Sequence, residues 1–350
     1  MTLAPRAVLV HRRTELEELL ARHGTRQQAS FFLKTRGRSL EEVEERYRAD
    51  QAALTAVASA IPFDWRRGRV ERADLDRFLF APDDIIVIVG QDGLVANVAK
   101  YLAGQPVIGI NPDPARNPGV LVPHPPDAAK TLLMLAASPD GAHHVQARAM
   151  VEARTDDGQR LIALNEIFLG HSSHQSARYR IQPPDGRVER QSSSGVLVGT
   201  GTGSTGWCRS VWLERGSRLP LPNPDDSSLV WFVREAWPSP ATRTELTEGT
   251  LRAGDELRII AESDRLVLFG DGIETDSVSL SWGQGALIRL SDRRLNLVAS
   301  TTQASQLVRS EFAARRRSET IEDDIDREAH PPARRGARAR KGSYRISGKD

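Results

Sequence analysis

Ile85-Ile86-Val87-Ile88-Val89 is the segment that leaves this chain the fewest folding options. Five consecutive β-branched residues favour a strand. A strand apolar at every position must be buried on both faces, which a parallel sheet covered by helices achieves. The run stops at Gly90-Gln91-Asp92-Gly93, and a helical pattern follows through about Leu102, before Gly104. Pro106 to Ile110 reads as the next strand and Asp127 to Ala137 as the next helix. Upstream, Arg6 to His11 reads as a strand and Thr14 to His23 as a helix closed by Gly24. Ser39 with Glu42 forms a capping box opening a helix through about Ala60, stopped by Pro62. Strand–helix alternation of this kind predicts a doubly wound α/β domain over residues 1–138.

The rhythm changes near Gly141. Strand-like segments follow one another at 143–154, 160–169, 176–182, 187–191 and 195–199, with turns at Asp156-Asp157-Gly158 and Pro183-Pro184-Asp185-Gly186. One helix, about Ser204 to Glu214, interrupts them; further strands are expected near 228–235, 256–261, 265–269 and 286–290. The expected fold class is therefore α/β followed by a β-rich, sandwich-like domain over 139–295. A segment at 296–312 is expected to close back on the first domain.

Composition narrows the function classes. The chain has 350 residues, 39% hydrophobic and 27% charged, without an apolar run of about 18 residues, so no membrane span is expected. The start lacks a long apolar stretch, and Glu15, Glu17 and Glu18 follow soon after, so no signal peptide is expected. Cys208 is the single cysteine, which excludes an internal disulfide framework and a multi-thiolate zinc site and points to a reducing cytoplasm. His143-His144 and His171-Ser172-Ser173-His174 lack matching carboxylate or thiolate spacing, so no metal site on the protein is expected. The net charge of +2 conceals an acidic run from Glu319 to Glu328 followed by a basic end from Ala333 to Asp350. Residues 313–350 read as a charged, disordered tail, and nucleic-acid binding is not expected.

Three motifs carry chemistry. Gly90-Gln91-Asp92-Gly93 lies at the carboxyl end of the buried parallel strand, where open α/β sheets bind ligands. Its glycines would let amides approach a phosphate, although a plain Asp-Gly turn from strand to helix fits the tetrapeptide too. Gly199-Thr200-Gly201-Thr202-Gly203-Ser204-Thr205-Gly206-Trp207 runs from a strand through glycines and hydroxyls into a helix, a pattern suited to an anion. No lysine follows the glycines, so it is not a Walker loop. Asn165-Glu166 is a polar pair inside apolar sequence; its hydrogen bonds must be met, by a hydroxyl-rich ligand or by an internal network.

Together and in this order, Gly90-x-Asp92-Gly93, Asn165-Glu166 and Gly201-Thr202-Gly203-Ser204 resemble the three signatures of the NAD kinases. The chain is most similar to the mitochondrial type, through Val107-Ile108-Gly109-Ile110-Asn111-Pro112-Asp113-Pro114, the stretch 163–170 and Ser193-Ser194-Gly195. Asp271-Gly272 fits a later turn of that type, and the resemblance covers about residues 5–300. It implies ATP-dependent phosphorylation of the 2′-hydroxyl of the adenosine ribose of NAD or NADH. Asp92 would be the general base. Asn165 and Glu166 would bind the dinucleotide, Thr200 to Thr205 would line the nucleotide site, and Gly206 and Trp207 would lie near the bases. Gly90, Gln91, Gly93, Asn111 and Asp113 complete the implied binding set. Mg²⁺ would ride on the donor phosphates, and the enzyme would be a homodimer.

Two residues depart from the family. Its Gly-Gly-Asp-Gly-Thr is here Gly90-Gln91-Asp92-Gly93-Leu94. Glutamine in place of glycine is expected to point into or along the donor pocket, and Leu94 removes a hydroxyl. The alternative these substitutions suggest is a non-catalytic, NAD-binding regulatory member with an impaired donor site.

Overall fold

The computed structural model describes residues 4–139, 141–273 and 276–299. The expected tail, and the expected closing segment beyond Ala299, lie outside the described residues.

The first half runs β1 (Arg6–His11), α1 (Glu15–His23), α2 (Arg26–Lys34), α3 (Leu40–Ala60), β2 (Arg66–Glu71), β3 (Asp84–Val89), α4 (Asp92–Ala99), β4 (Pro106–Ile110) and α5 (Ala129–Ala136). Its strands are parallel in the order β2-β1-β3-β4. Alternate residues of the central strands feed opposite cores, as a two-residue period requires. Ala7, Leu9, Ile85, Val87, Ile108 and Ile110 pack under α3 and α5. Val8, Val10, Ile86, Ile88 and Val107 pack against Leu94, Val95 and Val98 of α4. Each such fully buried Ile or Val contributes about 1.5–3 kcal/mol. Asp84, the charged residue opening β3, is fully buried and held by the Arg6 guanidinium at 2.6 Å.

The second half contains β5 (Val145–Thr155), β6 (Arg160–Ala163), β7 (Glu166–His171), β8 (Ala177–Gln182), β9 (Glu189–Ser193), β10 (Gly195–Gly199), α6 (Trp207–Arg215), β11 (Ser228–Arg234), β12 (Glu248–Arg252), β13 (Glu256–Ala261), β14 (Leu266–Gly270), β15 (Val278–Leu280) and β16 (Gly285–Val298). Six strands form an antiparallel sheet, β12-β11-β10-β7-β14-β15. The other sheet is continuous with the first half. β16 pairs with β13 and β5, and its end, Asn296 and Leu297, pairs in parallel with Pro106 and Val107 of β4. The inner faces of both sheets share a core that includes Val151, Ile167, Tyr179, Val198, Trp231 and Ile259. This is the sandwich anticipated from the strand spacing. α6 covers the outer face of the six-stranded sheet with Cys208 and Val211 against Leu197, Val230 and Phe232.

The segment 160–169 is two strands rather than one. The chain breaks at Leu164-Asn165 because both amides turn to the Asp271 carboxylate, at 2.9 and 2.7 Å. The helix expected from Ser204 starts with a 3₁₀ turn at Gly203–Thr205, and its α-helical part begins at Trp207.

Candidate active site

In the parallel sheet the chain leaves β1 toward β2 on one side, then returns past β1 to β3 and β4 on the other. The strand order therefore reverses between β1 and β3, and the crevice outside their carboxyl ends is where such sheets bind ligands. Gly90-Gln91-Asp92 follows β3 there, and Arg12 follows β1.

Asp92 is the first residue of α4. Its carboxylate is bound by the loop that follows β4. Oδ1 accepts from the amides of Leu121 and Val122 at 2.8 and 3.1 Å, and Oδ2 accepts from Val120 at 2.9 Å. The acid is thus fixed in place by the loop after β4. Gln91 caps α4 in an extended conformation, φ −111°, so the missing glycine costs no backbone strain here. Its Oε1 accepts from Arg12 Nη2 at 3.4 Å. Leu94 is buried among Val8, Ile86 and Val95, so the residue that replaces the family's threonine serves the core.

Asn111 and Asp113 shape the loop that follows β4. Asn111 Nδ2 donates to the Asn117 carbonyl at 2.7 Å, its Oδ1 accepts from the Asp113 amide at 3.0 Å, and the Asp113 carboxylate pairs with Arg116 at 3.1 Å. Asp113, Asn117, Gln91, Arg12 and Asp50 line a cavity of about 110 Å³ beside the crevice.

Asn165, Glu166 and the Gly/Thr loop form one unit in the second half. Thr200 ties it together. Its amide donates to the Asn165 carbonyl at 2.9 Å and its hydroxyl to the Leu164 carbonyl at 2.6 Å, while that hydroxyl accepts from the amide of Thr202 at 3.1 Å. Ser204 and Thr205 hydroxyls donate to the carbonyls of Thr200 and Thr202, at 3.0 and 2.8 Å. The glycines are required by close approach. A Cβ on Gly201 would lie 1.8 Å from the Asn223 carbonyl oxygen, and one on Gly203 2.2 Å from that of Asn165. Three of the loop's hydroxyls therefore already donate to backbone carbonyls, one at Leu164 and two within the loop. Thr202 Oγ1 is buried without a hydrogen-bond partner among the described residues.

Glu166 is buried against Gly203. Burial pushes its carboxyl up to about 7, and the charge of Asp271 adds to this. Burial also raises Asp271, to about 6, against the amide hydrogen bonds it receives from Leu164 and Asn165. Lys100, at the end of α4, holds Asp276 and brings a positive charge toward Asp271. Trp207 stacks on Phe168 with ring centroids 5.3 Å apart, and the Arg234 guanidinium lies 5.5 Å from its ring. Gly206 closes the 3₁₀ turn through its amide to the Gly203 carbonyl at 3.0 Å.

Two arginines were not anticipated. Arg12 follows β1 at the strand-order reversal. Arg148, in β5, is 8% exposed. Its Nη2 donates to Gln146 Oε1 at 3.1 Å, whereas Nη1 has no partner among the described residues. The next amide, Ala149, donates at 3.0 Å to the carbonyl of Pro224, adjacent to the Asn223 carbonyl that Gly201 abuts. The signal available in the sequence was an arginine between two alanines, inside a strand whose neighbours are small and apolar.

No family model matches the chain. Over 235 residues it is 24% identical to the NAD kinase of Chlorobaculum tepidum, spanning 66% of this chain and 75% of that one. Over 185 residues it is 30% identical to the mitochondrial NAD kinase 2 of Rattus norvegicus, spanning 41% of this chain and 44% of the rat protein. Each of these curated relatives is an NAD kinase, and it is to NAD kinases that the chain is similar in sequence. It spans less than half the length of its mitochondrial relative and three quarters of the bacterial one. Two solved structures share the fold. An NAD kinase from Archaeoglobus fulgidus in complex with ATP matches with a TM-score of 0.52 at 18% identity, covering 87% of this chain and 97% of that one. A yeast NADH kinase complexed with NADH matches with a TM-score of 0.53 at 14% identity, covering 87% of this chain and 86% of that one. The expected α/β and β-rich architecture is thus the fold these two structures share with the chain.

Proposed function

We propose that this chain transfers the terminal phosphoryl group of ATP to the 2′-hydroxyl of the adenosine ribose of NAD or NADH. The observation that carries the reading is Asp92, held by three amides at the point where the strand order reverses. Phosphoryl transfer asks chiefly for positioning and charge stabilisation, with a base near the attacking hydroxyl. Asp92 is that base; its fixed orientation keeps a remaining lone pair available to the hydroxyl. Gly90, Gln91 and Gly93 border the donor. Asn165 and Glu166 receive the ribose hydroxyls, with Glu166 the group whose hydrogen bonds a ligand completes. Thr200 to Thr205 line the nucleotide site, and Thr202 is the hydroxyl still free to bind. Gly206 and Trp207 flank the bases, and Asn111 with Asp113 supports the loop facing them.

Among the described residues no group of three or more His, Cys, Asp or Glu side chains is arranged to hold a metal ion. Mg²⁺ would enter on the donor phosphates, where it would neutralise their charge. A cytoplasmic enzyme fits a single, buried, unpaired cysteine. The resemblance alone supports a homodimer.

The non-catalytic alternative rested on Gln91 and Leu94. Gln91 sits without strain and Leu94 serves the core, so both are compatible with a working loop. Purified protein supplied with NAD or NADH, ATP and Mg²⁺ should form the 2′-phosphorylated dinucleotide. Folded protein that binds NAD but yields no such product would establish the regulatory reading instead.

A further inference from the structure

A cation that is buried without a counter-ion is costly, and a fold keeps one only where something offsets the cost. Arg148 is such a group. It is 8% exposed, no carboxylate lies within ion-pair distance of it among the described residues, and Nη1 has no acceptor. The guanidinium is held rigidly. β5 pairs with β16 through Arg148 opposite Leu295, and β16 continues into β4 of the first sheet. Gln146 fixes the other nitrogen. Burial lowers its pKa, and the two carboxylates whose charge opposes that are Asp225 and Asp92. Asp92 is already engaged by three backbone amides, so its charge reaches Arg148 without neutralising it in a direct pair.

We propose that Arg148 is a catalytic residue that grips the transferred phosphoryl group, its free Nη1 donating to a phosphoryl oxygen opposite Asp92. This rests on the kinase reading above. The 2′-oxygen attacks the terminal phosphorus, forming a new P–O bond. The bond from that phosphorus to the bridging oxygen breaks, and its electron pair leaves with ADP. The 2′-hydroxyl proton passes to the Asp92 carboxylate. Negative charge on the phosphoryl oxygens lies in a water-poor site, where a fixed guanidinium is most effective. Thr202 Oγ1 is likewise buried without a partner among the described residues, on the loop whose Gly201 abuts Asn223.

The test compares wild type with Arg148→Met and Arg148→Lys. It uses ATP titrations at saturating NAD, calorimetry of NAD binding, and melting of the ligand-free protein. Arg148→Met should lower kcat about 10²–10³-fold, the usual cost of one lost charge-stabilising donor, and Arg148→Lys should fall between it and wild type. NAD affinity should stay within about threefold, because a transition-state contact acts on kcat rather than on ground-state binding. The ligand-free Arg148→Met protein should melt no lower than wild type, since the substitution removes an unpaired buried charge. Wild-type kcat in both variants, or a loss confined to NAD affinity, overturns the assignment. So does a fall in melting temperature in both variants, which would mark a structural arginine. A wild type without turnover overturns the kinase reading itself and this proposal with it.

Discussion

At the residue scale the central pair is Glu166 and Asp271. Both carboxyls are raised by burial, Glu166 from 4.5 to about 7. A carboxyl raised in the fold contributes stability that is fully present below its unfolded value and lost as pH rises through its folded value. The ligand-free protein should therefore become less stable between pH 5 and 8. For Glu166 the effect amounts to about 3 kcal/mol at the alkaline end. Glu166→Gln should flatten that profile and raise the melting temperature at pH 8 while weakening NAD binding; an unchanged profile would show that Glu166 does not titrate in this range. Asp92 carries a different expectation. Asp92→Asn should cut turnover by about 10²–10⁴-fold with NAD affinity within a few fold. It should also cost about 1–3 kcal/mol in stability, because an NH₂ group cannot accept from the amides that the second oxygen now serves. Thermal melts beside the kinetics separate the two effects.

At the element scale, the loops divide into glycines needed by the fold and glycines open to a ligand. A Cβ on Gly201 would meet the Asn223 backbone at 1.8 Å, whereas one on Gly93 meets nothing within 4 Å. Gly201→Ala should lower the melting temperature markedly. Gly93→Ala should fold at least as well as wild type, since alanine favours a helix by about 1 kcal/mol, and should act on donor KM instead. Equal melting temperatures for the two variants would contradict this division. The elements also show what was legible beforehand. β3 was readable because every residue is apolar, and α3 because Ser39 caps it. β2 was not, because an edge strand reading Arg66-Arg67-Gly68-Arg69 buries only Val70. α2 begins at once after the Gly24 that ended α1, with Thr25 as its cap, and so was hidden behind a stop signal. The three site motifs were visible as local patterns. Their anchor was not: Asp271 holds Leu164 and Asn165 from 107 and 106 positions away. Nor was Arg148, whose meaning lies in a missing partner.

At the scale of the whole molecule, β16 makes one sheet of the parallel strands and half of the sandwich. Asp92 follows β3 of that sheet, and the Glu166–Thr202 unit sits on the six-stranded sheet packed against its sandwich half through the shared core. Leu297 is 2% exposed at that junction. Leu297→Ala should cost about 2–5 kcal/mol and shift a single cooperative transition; two separate transitions would show that the halves unfold independently. The framework serves one claim, that ATP's terminal phosphoryl group moves to the 2′-oxygen of NAD. The most direct measurement follows a label. With ATP carrying ³²P in its terminal phosphate, label should appear in a dinucleotide that an NADP-specific dehydrogenase reduces, and should fall about 10²–10⁴-fold there with Asp92→Asn. Label found only in ATP and inorganic phosphate, with folded wild-type protein and bound NAD, would contradict it.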